Sequence, residues 1–320
     1  GVQVARAVYD QLAAPDANGE IAPFLAEEIT PNDTYDTWTI ELREGVTFHD
    51  GSALDAQVVK NNLDAYRGAY PNRSPLLFRF VLDSIESVEV VDDLTVEVRT
   101  KTPWVAFPWY LWNDGRMGIV AQSLVDDPDT CDSKLVGSGP FVQEEWRIND
   151  QFSAVANPDY WATDADGEPL PYLDRIVFRP LVDAQSRANS LLSGQLDAAI
   201  ASGAAATEIL EDEAGAGGID LVQSDEYPEV AYLIINSGKP PFDNRDARLA
   251  VAHAVDRDLL NEVRALGMFQ VADGPFGPGS PGYLEDPGYP EYDLEKSREH
   301  QDAYREATGE DLEFTFTHQA

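Results

Sequence analysis

The tightest local constraint on this chain is the stretch from Trp38 to Tyr66, where the period of the apolar residues changes once. Trp38, Ile40 and Leu42 alternate with Thr39, Glu41 and Arg43, the period of a strand with one buried face. Gly45 ends that strand, and Val46 to Phe48 lead into a turn at His49-Asp50-Gly51. Asp55 then stands where a helix N-cap belongs. Val59, Leu63 and Tyr66 follow on one helical face, until Pro71, Asn72 and Pro75 stop the helix.

The same reading extends along the chain. Val88 and Val90 face Leu94, Val96 and Val98 across Asp92-Asp93, which predicts a hairpin. The aromatic stretch from Trp104 to Trp112 is too apolar for an exposed loop and belongs at a core edge or in the lining of a cleft. Strands are expected at Leu173 to Pro180, Leu196 to Ile200, Ile219 to Val222, Val230 to Ile235 and Leu312 to Thr317. The run Val230 to Ile235 is continuously apolar, as in a buried sheet position. Helices are expected at Ala184 to Leu192, within Ser202 to Gly218, at Arg248 to Arg264 and at Leu294 to Thr308, with a long Gly/Pro-rich loop from Asp273 to Pro290.

Charge narrows the partners. The 320 residues carry 58 acidic and 22 basic side chains, a net charge of −36, which repels nucleic acid and anionic lipid headgroups. The carboxylates are spread along the whole chain, as on a solvated surface. Cys131 is the single cysteine, so no disulfide forms within the chain. No apolar run reaches the roughly 18 residues of a membrane span, and no signal peptide opens the sequence.

Four segments occur in a telling order: WTIELREGVTFHDGSALDAQVV, LVGSGPFVQEEW, NPDYW with LPYLDRIVFR, and INSGKPPFDNRDARLAVAHAVDR. With IAPFLAEE before them and GPFGPGSPGY and YDLEKS after, they resemble the family 5 extracellular solute-binding proteins of ABC transporters, which capture oligopeptides, dipeptides and nickel complexes. The resemblance implies an α/β fold, a two-lobed clamp of the class II periplasmic-binding-protein type with mixed sheets. Lobe one would span residues 1–236, with a core of 1–45 and 171–236 and an inserted subdomain of 46–170. Residues 237–320 would begin lobe two, which is expected to be incomplete in a chain truncated at both ends. The resemblance also implies a periplasmic or extracellular monomer, anchored to the membrane through a removed N-terminal leader as a lipoprotein. It would deliver a peptide or other small solute to ABC permease subunits, without a cofactor and without catalysis.

Candidate ligand contacts follow from position. Trp109 and Trp112, with Arg116 close by, have a claim on a cleft. Ser138 and Gly139 lie on a segment that in relatives is an interior crossover strand, where small residues admit close backbone approach. Ser202, Tyr232 and Asn236 lie on or at the ends of expected strands, where open α/β sheets leave a crevice. His49-Asp50 could pair on a metal, but an Asp-Gly turn requires the same residues. His253, His300 and His318 are far apart in sequence and no His/Cys cluster has zinc spacing. Asp164, Asp166 and Gly167, like Asp16, Asn18 and Gly19, read as polar turns, since neither set completes a calcium loop. The alternative function is a carbohydrate-active hydrolase, with two carboxylates across a cleft and tryptophans as sugar platforms.

Overall fold

The computed structural model describes residues 2–71, 79–130, 133–223, 230–278, 280 and 282–317. Cys131, His318 and the helix-stopping Asn72 and Pro75 lie outside the described residues. The chain divides into two compact units, residues 1–180 and 181–320.

The first unit opens with helix α1 (Val2–Val8) and the short pair β1 (Ala13–Pro15) and β2 (Ile21–Pro23). Strands β3 (Ala26–Pro31) and β4 (Thr37–Leu42) follow, then helices α2 (Ala56–Tyr66) and α3 (Arg79–Leu82), then β5 (Ile85–Asp92) and β6 (Thr95–Thr100). The four strands make an antiparallel sheet in the order β3-β4-β6-β5. Trp38, Ile40 and Leu42 of β4 are buried on one face, with Val88, Val96 and Val98 beside them and Val59 and Leu63 of α2 in the same core. The Asp55 carboxylate accepts the Val58 amide at 2.8 Å, so the N-cap is built as the sequence requires.

Helix α4 (Phe107–Trp112) turns Phe107 and Leu111 into this core and ends at Asn113, whose φ of 38° caps it in the left-handed region. After α5 (Gln122–Asp126) the chain forms a second antiparallel sheet, β7 (Phe141–Arg147), β8 (Gln151–Ala156) and β9 (Arg175–Phe178), in that order. Phe141, Phe152 and Ala154 form a smaller core with Ala7 and Val8 of α1. Every ladder among the described residues is antiparallel.

The second unit is helical: α6 (Ala184–Leu192), α7 (Ala204–Gly215), α8 (Arg245–Ala254), α9 (Arg257–Ala265) and α10 (Leu294–Thr308). Two expectations are corrected here. The single helix from Arg248 to Arg264 is two helices, because the Asp256 carboxylate accepts the Leu259 amide at 2.9 Å and starts α9 as a new N-cap. The strands expected at Leu196 to Ile200, Ile219 to Val222, Val230 to Ile235 and Leu312 to Thr317 form no ladder among the described residues. Tyr232 and Ile234, expected in a buried sheet, are 75% and 80% exposed; an apolar run becomes an interior strand only when neighbours on both sides take its backbone hydrogen bonds.

Candidate functional site

In the first unit, α1 organises the candidate residues. The strap Val136–Pro140 crosses its C-terminal end at contact distance: the Gly139 amide donates to the Val8 carbonyl at 2.9 Å. A Cβ on Gly137 would lie 2.1 Å from the Val8 oxygen, and one on Gly139 2.6 Å from the Val8 carbonyl carbon. The small residues of the strap are therefore required by α1. His49 fixes the strap from outside: the Gly137 amide points at Nδ1 (3.4 Å) and Nε2 lies 2.9 Å from the Gly139 carbonyl. This arrangement selects the neutral tautomer with its proton on Nε2. Burial pushes the His49 pKa below its usual value, against the hydrogen bond to Gly139 and the charge of Asp50. The histidine of the His49-Asp50 pair is thus committed to backbone groups.

Ser138 is buried and its hydroxyl donates to the carboxylate of Asp10 at 3.3 Å. The same carboxylate accepts Trp161 Nε1–H at 2.9 Å and the Tyr160 hydroxyl at 3.3 Å. Trp161 in turn lies under the Arg43 guanidinium, 5.1 Å from the ring centroid, with Phe24 edge-on at 5.1 Å. These residues back an open recess of about 360 Å³ lined by Glu27, Arg43, Glu44, Val46 and Trp161.

On the other side of α1, Arg6 reaches across Gly115 and places its guanidinium 4.9 Å from the Trp112 ring. Trp109, one helical turn earlier, is 51% exposed, and Arg116 is exposed on the turn that follows α4. Trp109, Trp112 and Arg116 therefore share one helix and its exit turn, while Ser138 and Gly139 share the strap; α1 contacts both segments. The arrangement offers one open indole face, that of Trp109, on which an apolar or planar group could stack.

The remaining three candidates lie in the second unit. Ser202 is exposed and its hydroxyl accepts a hydrogen bond from the Arg187 guanidinium. Tyr232 is exposed, and Asn236 uses its side-chain oxygen to accept the Gly238 amide at 3.1 Å. Sequence separation hid one pairing here: His253 and His300 stack with centroids 5.8 Å apart, His300 Nδ1 on Asp246 at 2.8 Å and His253 Nδ1 on the Glu291 carbonyl at 2.7 Å. No group of three or more metal-capable side chains occurs among the described residues. The Asp164 and Asp16 segments are turns, each carboxylate accepting backbone amides within four residues. No described helix is long and apolar enough to cross a membrane. Sequence reasoning does not reach Asp10, Arg6 and Tyr160; the available signal is an acidic residue directly after the apolar Ala7 to Tyr9.

Residues 20–320 match the family model described as bacterial extracellular solute-binding proteins, family 5 Middle. Among curated proteins, the glutathione-binding protein GsiB of Pectobacterium atrosepticum is 32% identical over 299 residues, covering 92% of this chain and 55% of the relative. GsiB of Salmonella typhimurium is 32% identical over 297 residues with the same coverage. Among solved structures, the periplasmic binding protein DppA of Helicobacter pylori in complex with the peptide STSA superposes with a TM-score of 0.77 at 26% identity, over 93% of this chain and 60% of that one. AgaA from A. tumefacien R10 in complex with agropinic acid gives 0.76 at 25% identity, over 94% and 59%. The chain spans about half the length of the curated relatives it matches.

Proposed function

The chain belongs to the bacterial extracellular solute-binding proteins, family 5, and on that premise we propose that it forms part of a clamp that captures a small peptide and hands it to an ABC permease. In this reading residues 1–236 build the first lobe, with a core of 1–45 and 171–236 and an insert of 46–170, and residues 237–320 begin the second. The protein works outside the cytoplasmic membrane, and the solute leaves chemically unchanged. Closure draws its free energy from contacts made only in the closed form, because a ligand shifts a conformational equilibrium by its differential affinity alone.

The observation that carries the reading is the α4 face: the open indole of Trp109, with Trp112 under Arg6 and Arg116 on the exit turn. An exposed indole suits stacking on a planar or apolar group, which peptides offer in their amide planes and side chains, and relatives named for glutathione and a neighbour holding the peptide STSA support the class. Ser202, Tyr232 and Asn236, all exposed, are further contacts in this proposal, whereas Ser138 and Gly139 are buried against Asp10 and α1 and hold the strap.

Thermal shift with dipeptides, glutathione, agropinic acid, nickel–histidine and an oligosaccharide tests it. A native-state ligand at 100 times its Kd stabilises by about 2.7 kcal/mol. Saturable stabilisation by a peptide, recovery of the intact peptide by mass spectrometry, and affinity about fivefold weaker in Trp109→Ala are expected, since an aromatic contact contributes about 1 kcal/mol. Cleavage of the ligand, or unaltered affinity in Trp109→Ala, would overturn the reading.

A further inference from the structure

Among the described residues of the first unit, the carboxylates of Asp10 and Asp64 are buried, and they are treated differently. Asp64 lies between Lys60 at 2.6 Å and Arg67 at 2.8 Å. Asp10 is 3% exposed, and among the described residues no cation pairs with it. It is held by three neutral donors from two segments: Ser138 of the strap, and Tyr160 and Trp161 of the loop after β8. Its own carbonyl accepts the Ile119 amide at 2.8 Å, which ties in a third segment. An ion stripped of water and given no counter-charge costs more than the same group carrying a proton.

We propose that Asp10 is a pH-sensitive joint between α1, the strap and the 157–161 loop: its three donors grip the ion more firmly than the acid, but the cost of burying that ion without a counter-charge exceeds the gain, so the first unit is most stable with the proton on and loosens when the proton leaves. The surrounding charges do not relieve the ion. From α1, Arg6 is engaged with Trp112; behind the loop, Arg43 is engaged with Trp161 and faces Glu27 and Glu44 across the recess. On the strap side His49 is bound to Gly137 and Gly139, and burial favours its neutral form. On the loop, burial and the Asp10 charge push the Tyr160 hydroxyl above its usual pKa, so it remains a donor; Asp159 adds only negative charge, and Arg116 lies exposed on the turn before Ile119.

The sign follows from burial. Burial raises the Asp10 carboxyl from 3.8 to about 6, and the hydrogen bonds from Trp161, Ser138 and Tyr160 oppose it without cancelling it. Between those values the folded protein keeps a proton that the unfolded chain gives up. The stabilisation is therefore complete below about 4 and is lost as pH rises through about 6. A separation of about two pH units is about 100-fold in the folding constant.

The test is urea unfolding of the full chain and of Asp10→Asn at pH 4.5 and 7.5, in high salt so that the other carboxylates contribute less. Asparagine keeps an oxygen for Trp161 and Ser138 and lacks the charge. The ratio of the folding constants of the two proteins is expected to move by a factor on the order of 10 to 100 across this range, in favour of Asp10→Asn at the higher pH. A ratio independent of pH would sink the proposal. A second reading needs no variant: in the ¹H–¹⁵N spectrum, the Trp161 indole resonance is expected to titrate with a midpoint near 6, and Ser138→Ala, which removes one donor to the ion, is expected to move that midpoint upward. An indole resonance that does not titrate overturns the proposal even if Asp10→Asn fails to fold.

Discussion

Glycine shows how one residue type carries different meanings in this chain. Gly137 lies against α1 with no room for a methyl group, its virtual Cβ 2.1 Å from the Val8 oxygen and 2.5 Å from Tyr9 Cδ1. Gly215, at the end of α7, has nothing within 4 Å. Gly137→Ala must displace backbone and is expected to cost about 1–3 kcal/mol, whereas Gly215→Ala is expected to be neutral or to stabilise by up to about 1 kcal/mol. Urea midpoints of the two variants check the contrast, and equal effects would contradict the packing of the strap. The sequence announced that small residues matter at Gly137-Ser138-Gly139, but not that the neighbour is α1, because that contact joins residues more than a hundred positions apart. Asp10 was still less visible: one acid among 58 gives no sign of burial until its three donors are located.

At the scale of elements, what was legible is what is decided locally. The alternation at Trp38, Ile40 and Leu42 is β4, the hairpin is β5 and β6 with Val88 opposite Val98, and Leu294–Thr308 is α10 with its cap at Asp293. Each follows from a period or a cap within a few residues of chain. What failed depended on distant partners: the apolar run through Tyr232 and Ile234 has strand composition, yet its ladder needs chain from elsewhere. The break between α8 and α9 was local but hidden, since Val251, Val255 and Leu259 continue one stripe while Asp256 offers a competing cap. Capping also gives this scale its test. Asp55→Ala removes the acceptor for the Val58 amide at the start of α2 and is expected to cost about 1 kcal/mol, with Asp55→Asn close to wild type. Guanidinium unfolding of both variants measures it, and parity of Ala with Asn would remove the cap from the account of this helix.

For the whole molecule, charge is the term that local structure does not settle. With 22 basic side chains against 58 acidic ones, even complete pairing leaves the whole excess of 36 carboxylates unneutralised. Ion pairs such as Arg175–Glu144 at 2.7 Å and Arg305–Asp311 at 2.6 Å are open to solvent and individually weak. Salt therefore acts on two opposed terms, weakening those pairs and screening the repulsion among the remaining carboxylates. The second should win, because repulsion is summed over many unpaired groups and reaches about 10 Å at 0.1 M salt but only about 3 Å at 1 M. The expected result is a Tm that rises by at least about 2 °C between 0.1 and 1 M sodium chloride, the equivalent of roughly 1 kcal/mol. Sulfate is the wrong salt for this measurement, since it also strengthens apolar burial. A Tm that stays level or falls in sodium chloride would mean that the pairs outweigh the repulsion, and that the acidic surface is arranged to offset its own charge.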